Sequence, residues 1–131
     1  MLNQVILIGN LVRDPEMKYI QSGKAVGEFT VAVNRKWKGS DGAMREEVGY
    51  FDCECWGKTA ETVAAHVKRG KRVMVVGRLV QKRWDDASGK KHSFIHVTAE
   101  RVLFLFPKEE VAGAEAQIEA AGEESAPASQ S

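Results

Sequence analysis

Residues 71–84, KRVMVVGRLVQKRW, decide how the rest of the chain is read. The first half is β-branched and aliphatic, broken once by Gly77, and suits a strand that crosses a core. The second half carries Arg78, Lys82, Arg83 and Trp84. A core strand has no use for cations, whereas a strand that tracks an anionic polymer needs charge for phosphates and a flat ring for a base. The segment is therefore expected at the middle of a nucleic-acid-binding sheet. If it is regular, Met74, Val76 and Val80 share a face with Arg78, Lys82 and Trp84, so either Gly77 marks a bulge that shifts the face or another subunit covers part of it.

Two other stretches have the same design. Residues 25–37, AVGEFTVAVNRKW, alternate Phe29, Val31 and Val33 against Thr30, Ala32 and Asn34, then run out into Arg35, Lys36 and Trp37. Residues 48–56 alternate Phe51, Cys53 and Cys55, expected inside, against Tyr50, Asp52, Glu54 and Trp56, expected outside. Between these two strands, residues 38–45 (KGSDGAMR) make an exposed hairpin loop. The first strand, residues 3–12, is interrupted by Gly9 and apolar at both parities, which predicts packing against another subunit. Asp14-Pro15 ends it, and residues 16–20 form a short extension.

Residues 58–69 change period: Ala60, Val63, Ala64 and Val67 make the stripe of a short amphipathic helix. Lys68 and Arg69 are expected in its last turn and Gly70 just past its end. After residues 71–84 comes a polar loop, 85–91, and a last strand over 92–106 with Ile95, Val97 and Ala99 inward.

At 131 residues and 44% hydrophobic content, the chain suits one small domain with a modest core and a tail. MLNQVILIGN has neither a basic leader nor a small-residue cleavage site, and no apolar run approaches the roughly 18 residues that span a bilayer. A soluble cytoplasmic, nucleoid-associated protein with no membrane partner is expected. The net charge of +1 hides an asymmetry: residues 1–107 hold 18 Lys+Arg against 12 Asp+Glu, and residues 108–131 hold one Lys against six Glu. A basic body of +6 suits phosphate, while the Ala-, Glu- and Ser-rich 108–131 segment reads as an acidic disordered tail.

Cys53 and Cys55 at i and i+2 on a strand have Cα atoms roughly 6.5 to 7 Å apart, at or beyond disulfide reach. His66, His92 and His96 show no zinc-ligand spacing, so no metal or other cofactor is expected. No catalytic motif is present, and the chain is expected not to be an enzyme.

The order β-β-β-α-β-β, with the helix between strands three and four, is that of the oligonucleotide/oligosaccharide-binding (OB) fold, a five-stranded Greek-key barrel. The chain resembles the bacterial single-stranded DNA-binding proteins over residues 1 to about 105. The likeness rests on NQVILIGNLVRDPEMKY at the start, FTVAVNRKW, WGKTAE at residues 56–61, and VVGRLVQKRW with its following SGKK loop. The resemblance implies an OB domain over residues 1–107 that binds and protects single-stranded DNA during replication, recombination and repair, usually as a homotetramer.

The family's four base-stacking positions map to Trp37, Tyr50, Trp56 and Trp84; well-known members carry tryptophan at the position of Tyr50 and phenylalanine at that of Trp56. Each exchange keeps a π-face. For phosphates the candidates are Arg35, Lys36, Lys71, Arg72, Arg78, Lys82 and Arg83. Family tails usually end in an acidic, phenylalanine-terminated tip that docks replication and repair proteins, whereas this chain ends SAPASQS, which puts that docking role in doubt. The reading has two rivals: a primosome-type OB adaptor, expected to be a dimer, and a redox or metal enzyme using Cys53 and Cys55.

Overall fold

The inner rows of the strands are built from small β-branched and sulfur side chains. Val31, Val73, Val75, Val97, Cys53 and Cys55 are all buried, packed round Phe29 and Leu11. Such residues suit a half-buried pleated surface, and each valine taken fully out of water contributes about 1.5–3 kcal/mol. In the computed structural model, which describes residues 1–107, these rows face one another across a closed barrel.

The chain runs β1 (Val5–Leu11), β2 (Glu16–Tyr19), β3 (Ala25–Lys38), β4 (Met44–Trp56), α1 (Gly57–His66), β5 (Arg72–Asp85) and β6 (Lys91–Phe104). Strand order is β1-β5-β6-β4-β3-β2, and a further pairing of β1 with β3, Asn10 opposite Ala32 and Leu11 opposite Val31, closes the ring. β2 stands outside the ring on the edge of β3. The five-stranded barrel with a helix before its last two strands is the architecture expected from the sequence.

Two glycines make the closure possible. A Cβ on Gly9 would lie 2.3 Å from the Ala32 carbonyl oxygen, and one on Gly77 would lie 2.0 Å from that of Thr98. Only a residue without a side chain allows backbones to cross this closely. Of the two alternatives left open at Gly77, a bulge is present but does not shift the face of β5, because its extra residue is on the opposite strand: Val76 faces Arg101, Gly77 faces Ala99, and Glu100 is skipped. β5 therefore keeps its parity, with Val73, Val75 and Gly77 inside and Met74, Val76 and Arg78 outside.

The helix covers the barrel with Ala60 and Val63, as its stripe predicts. It is shorter than expected. Val67 is already extended, so Lys68 and Arg69 follow the helix instead of forming its last turn, although Lys68 Nζ donates to the Ala64 carbonyl at 3.4 Å. Gly70 belongs to a turn in which the Lys71 N–H donates to the Lys68 carbonyl at 3.1 Å.

β3–β4 and β5–β6 run on past the barrel as two hairpin arms. The first arm reaches Lys38 and Met44, so the expected 38–45 loop is shorter, at residues 39–43. Along these arms alternation no longer means burial. Phe51 and Ile95, both expected inside, are 40% and 58% exposed: Phe51, opposite buried Val31, leans its ring over Gly49 at the rim of the core, and Ile95 lies on the arm beyond it. The first strand also presents two faces: Leu7 packs on the core while Ile6 and Ile8 are exposed. No helix of the described residues is long and apolar enough to cross a membrane, and the 108–131 tail expected from the sequence lies outside them.

Candidate nucleic-acid interface

The outer face of the sheet can be followed from strand to strand through the register. On β3 and β4 the outward pairs are Glu28 with Glu54, Thr30 with Asp52, and Ala32 with Tyr50; Trp56 lies opposite Val26. β6 joins β4 in parallel, Glu54 opposite Thr98, and β5 continues with Val80 opposite His96, Lys82 opposite Phe94, and Trp84 opposite His92. Side chains alternate with period two, so these residues share one surface. The β5–β6 arm leans over it, and Lys82, Phe94 and His96 line one open cleft of about 270 Å³ with Thr30, Asp52 and Glu54.

Three of the four sequence-predicted rings lie on this surface. Tyr50 is 67% exposed, Trp56 37% and Trp84 48%. Trp56 is held at its edge, donating from Nε1 to Glu54 Oε1 at 3.3 Å, with Lys24 Nζ 5.5 Å from its ring centre. Trp37 stands in the opposite row of its arm, in register with Arg45, and is half-buried under the Arg35 guanidinium 4.5 Å away.

The cations divide in the same way. Lys82 lines the cleft, and Arg78 is in its row, 3.5 Å from Glu100. Lys36 shares the outward row of β3. Arg35, in the Trp37 row, pairs with Glu47 at 3.3 Å, and Arg83 turns its guanidinium to Gln81 at 2.8 Å. Lys71 and Arg72 are at the other end of β5, remote in register from the arm: Lys71 Nζ sits over the Phe106 ring and Arg72 Nε donates to Asn10 Oδ1.

Sequence reasoning overlooked part of the surface. His92, Phe94 and His96, at i, i+2 and i+4 of β6, form a ladder of rings with Trp84. Trp84 stacks on His92 at 5.3 Å and 16° and meets Phe94 edge-on at 6.1 Å; Phe94 lies 5.7 Å from His96. The alternation in HSFIH was the available signal. Placing Ile95, Val97 and Ala99 inward also assigns the residues between them to the outer face.

The tip of the β5–β6 arm is held by one carboxylate. Asp86 Oδ1 accepts from the backbone N–H of Ser88 and of Lys90 and from the Ser88 hydroxyl, while His92 Nε2 donates to Oδ2 at 2.8 Å. These donors, His92 first, hold the Asp86 pKa down at about 2. Cys53 and Cys55 are free and buried, and desolvation pushes each thiol up to about 12, so at neutral pH neither offers a thiolate. Among the described residues, no group of three or more His, Cys, Asp or Glu is arranged to hold a metal ion.

Comparison with known proteins agrees with this geometry. The chain is 43% identical over 108 residues to the single-stranded DNA-binding protein of Wolinella succinogenes, which covers 82% of this chain and 67% of that one. Its fold is similar to a deletion mutant of the single-stranded DNA binding protein from Thermus aquaticus, with a TM-score of 0.73 and 32% identity over 82% of this chain; the match spans about half, 52%, of the Thermus chain. A Plasmodium falciparum SSB, solved in complex with ssDNA, shares the fold at a TM-score of 0.75 and 20% identity, over 81% of this chain and 97% of that one. The family model for the single-strand binding protein family matches residues 2–105, and the chain belongs to that family.

Proposed function

We propose that this chain binds and protects single-stranded DNA of any sequence, stacking bases on Trp84, Trp56 and Tyr50 and neutralising phosphates with Lys82, Arg78 and Lys36. Trp37, Arg35 and Arg83 serve the same strand from the opposite rows of the two arms, and Lys71 and Arg72 contribute at most to its path round the barrel. The observation that carries the proposal is one continuous face that presents the accessible rings of Tyr50, Trp56 and Trp84 together with Arg78 and Lys82 of β5. Unpaired nucleotides share two features whatever their sequence, an aromatic face and a phosphate, and this surface offers a partner for each. No catalytic step is assigned to it. The natural setting is the cytoplasm, wherever duplex DNA is opened for replication, recombination or repair.

One barrel engages a short stretch of strand, and avidity requires several. The exposed outer row of β1, Ile6 and Ile8, is in register with Val76 and Met74 of β5. This apolar strip supports assembly of barrels, which we assign as the family's homotetramer. The replication and repair proteins that other tails dock are not assigned here.

Titration of the intrinsic tryptophan fluorescence with oligothymidine at two salt concentrations, beside an equal mass of duplex, tests the proposal. Quenching by the single strand alone, weaker at high salt, is expected, with a loss of about 1–3 kcal/mol of affinity in Trp84→Ala. Equal quenching by duplex, or none by either, would end it.

A further inference from the structure

At the tip of the β5–β6 arm, Asp86 divides its two carboxylate oxygens between two tasks. Oδ1 accepts from the Ser88 and Lys90 amides and the Ser88 hydroxyl, and the backbone closes the same turn through the Asp86 N–H on the Lys90 carbonyl and the Gly89 N–H on the Asp86 carbonyl. Oδ2 takes a single donor among the described residues, His92 Nε2 at 2.8 Å. An ionised carboxylate only accepts, so Nε2 carries the hydrogen. The turn is complete without this bond. What the bond fixes is the plane of the imidazole.

That plane is set against Trp84. His92 is opposite Trp84 in register, and the imidazole lies nearly flat on the indole, with centres 5.3 Å apart and planes 16° from parallel. Phe94 meets the same indole edge-on, at 6.1 Å and 79°. Among the described residues, neither Trp37, Tyr50 nor Trp56 has another ring against it. Trp84 nevertheless remains 48% exposed, so the bracing leaves ring surface open for a base.

An unbraced tryptophan near the end of a hairpin arm samples several rotamers, and fixing such a side chain on binding costs about two- to ten-fold in affinity. Resting on the single-strand reading above, we infer that His92 is a positioning residue for strand binding: held by Asp86, it backs Trp84 and presents the opposite face of the indole, already oriented, to an incoming base. The ordering is done in the free chain, and the base completes a three-layer stack of base, indole and imidazole. The device is indifferent to sequence, since every base has a π-face.

The test is the anisotropy of a dye-labelled oligothymidine titrated with the full chain and its variants, with a melting curve for each so that a lost fold is not read as lost binding. His92→Ala and His92→Gln are expected to weaken binding about two- to ten-fold, while His92→Phe, which keeps a flat ring behind Trp84, restores most of the loss. In a Trp84→Ala background, His92→Ala has no further effect, because residues that act through one contact are not additive. In the wild type, the His92 ring protons, moved upfield by the indole ring current, keep that shift when the strand is added. Full affinity in His92→Gln with a loss in His92→Phe would mean that His92 only ties the turn; an equal loss with and without Trp84 would mean that it touches the strand itself. Either result overturns the positioning role, as does full affinity in His92→Ala or disappearance of the upfield shift on binding. If Trp84→Ala binds as tightly as the wild type, the stacking assigned to Trp84 fails and the positioning role with it; if the wild type binds no single strand, the single-strand reading itself is wrong.

Discussion

The two halves of β5 show how one strand can serve two purposes. From Arg72 to Gly77 it is a barrel stave, with Val73 and Val75 buried and Gly77 pressed onto the Thr98 carbonyl. From Arg78 to Asp85 it is an arm, exposed along nearly its whole length and dependent on polar contacts for its shape. β3 makes the same transition, from buried Phe29 and Val31 to Arg35 and Lys36. In the barrel, side chains are chosen for volume and for how little space a backbone needs. Along the arms they are chosen for what they offer a ligand.

The sharpest test of that division is Gly77→Ala. The added methyl would meet the Thr98 backbone at 2.0 Å, which no rotamer can relieve. A loss of about 3 kcal/mol or more is expected, near the top of what overpacking costs, lowering the melting temperature by roughly 15 °C. A melting temperature within a few degrees of the wild type would mean that the strands do not cross as tightly there.

Phenylalanines in the two regions should respond in opposite ways. Phe29→Ala empties a buried site and is expected to cost about 3–5 kcal/mol of stability. Phe94→Ala removes an exposed ring, which should leave the unfolding free energy within about 0.5 kcal/mol and weaken single-strand binding by about 1–3 kcal/mol. Denaturant melts and DNA titrations of the two variants separate the effects; comparable destabilisation by both would erase the distinction between stave and arm.

The same boundary explains what was legible in the sequence. Alternation predicted the core side of each strand wherever the strand was in the barrel: Phe29, Val31, Cys53, Cys55, Val97 and Ala99 are all inside. It failed at Phe51 and Ile95 because parity assigns a face, whereas burial also needs a neighbour across the barrel. The point at which a strand leaves the core is set by closure, through Gly9 on Ala32 and the skipped Glu100, and neither contact is local in sequence. For the same reason Trp37 and Trp84, which look alike as strand-end tryptophans flanked by cations, occupy different rows. Lys71 and Arg72 adjoin the decisive stretch, yet they begin the stave, not the arm.

That last point gives a smaller, cleaner measurement. If phosphates follow the arm, Lys82→Ala should reduce the slope of log affinity against log salt by about 0.7, the single-strand value per phosphate, while Arg72→Ala should leave it in place. Equal changes in both slopes would extend the strand's path round the base of the barrel.

The smallest effect is expected at the arm's tip, where order depends on Asp86. Its carboxyl is held at about 2 in the folded chain against an ordinary 3.8, so the ionised form is favoured by folding. The contribution is complete above pH 3.8 and disappears as pH falls through about 2. The amides of Ser88 and Lys90 should therefore titrate with a midpoint near 2, well below an ordinary aspartate, when their resonances are followed by NMR. Asp86→Asn should abolish that titration and speed exchange at both amides while leaving the Val75 amide protected, since Val75 is buried in the barrel between Leu7 of β1 and Val102 of β6. A midpoint near 3.8 would show that the His92 and backbone donors do not hold the tip. Simultaneous loss of protection at Val75 would mean that the arm and the barrel unfold as one unit.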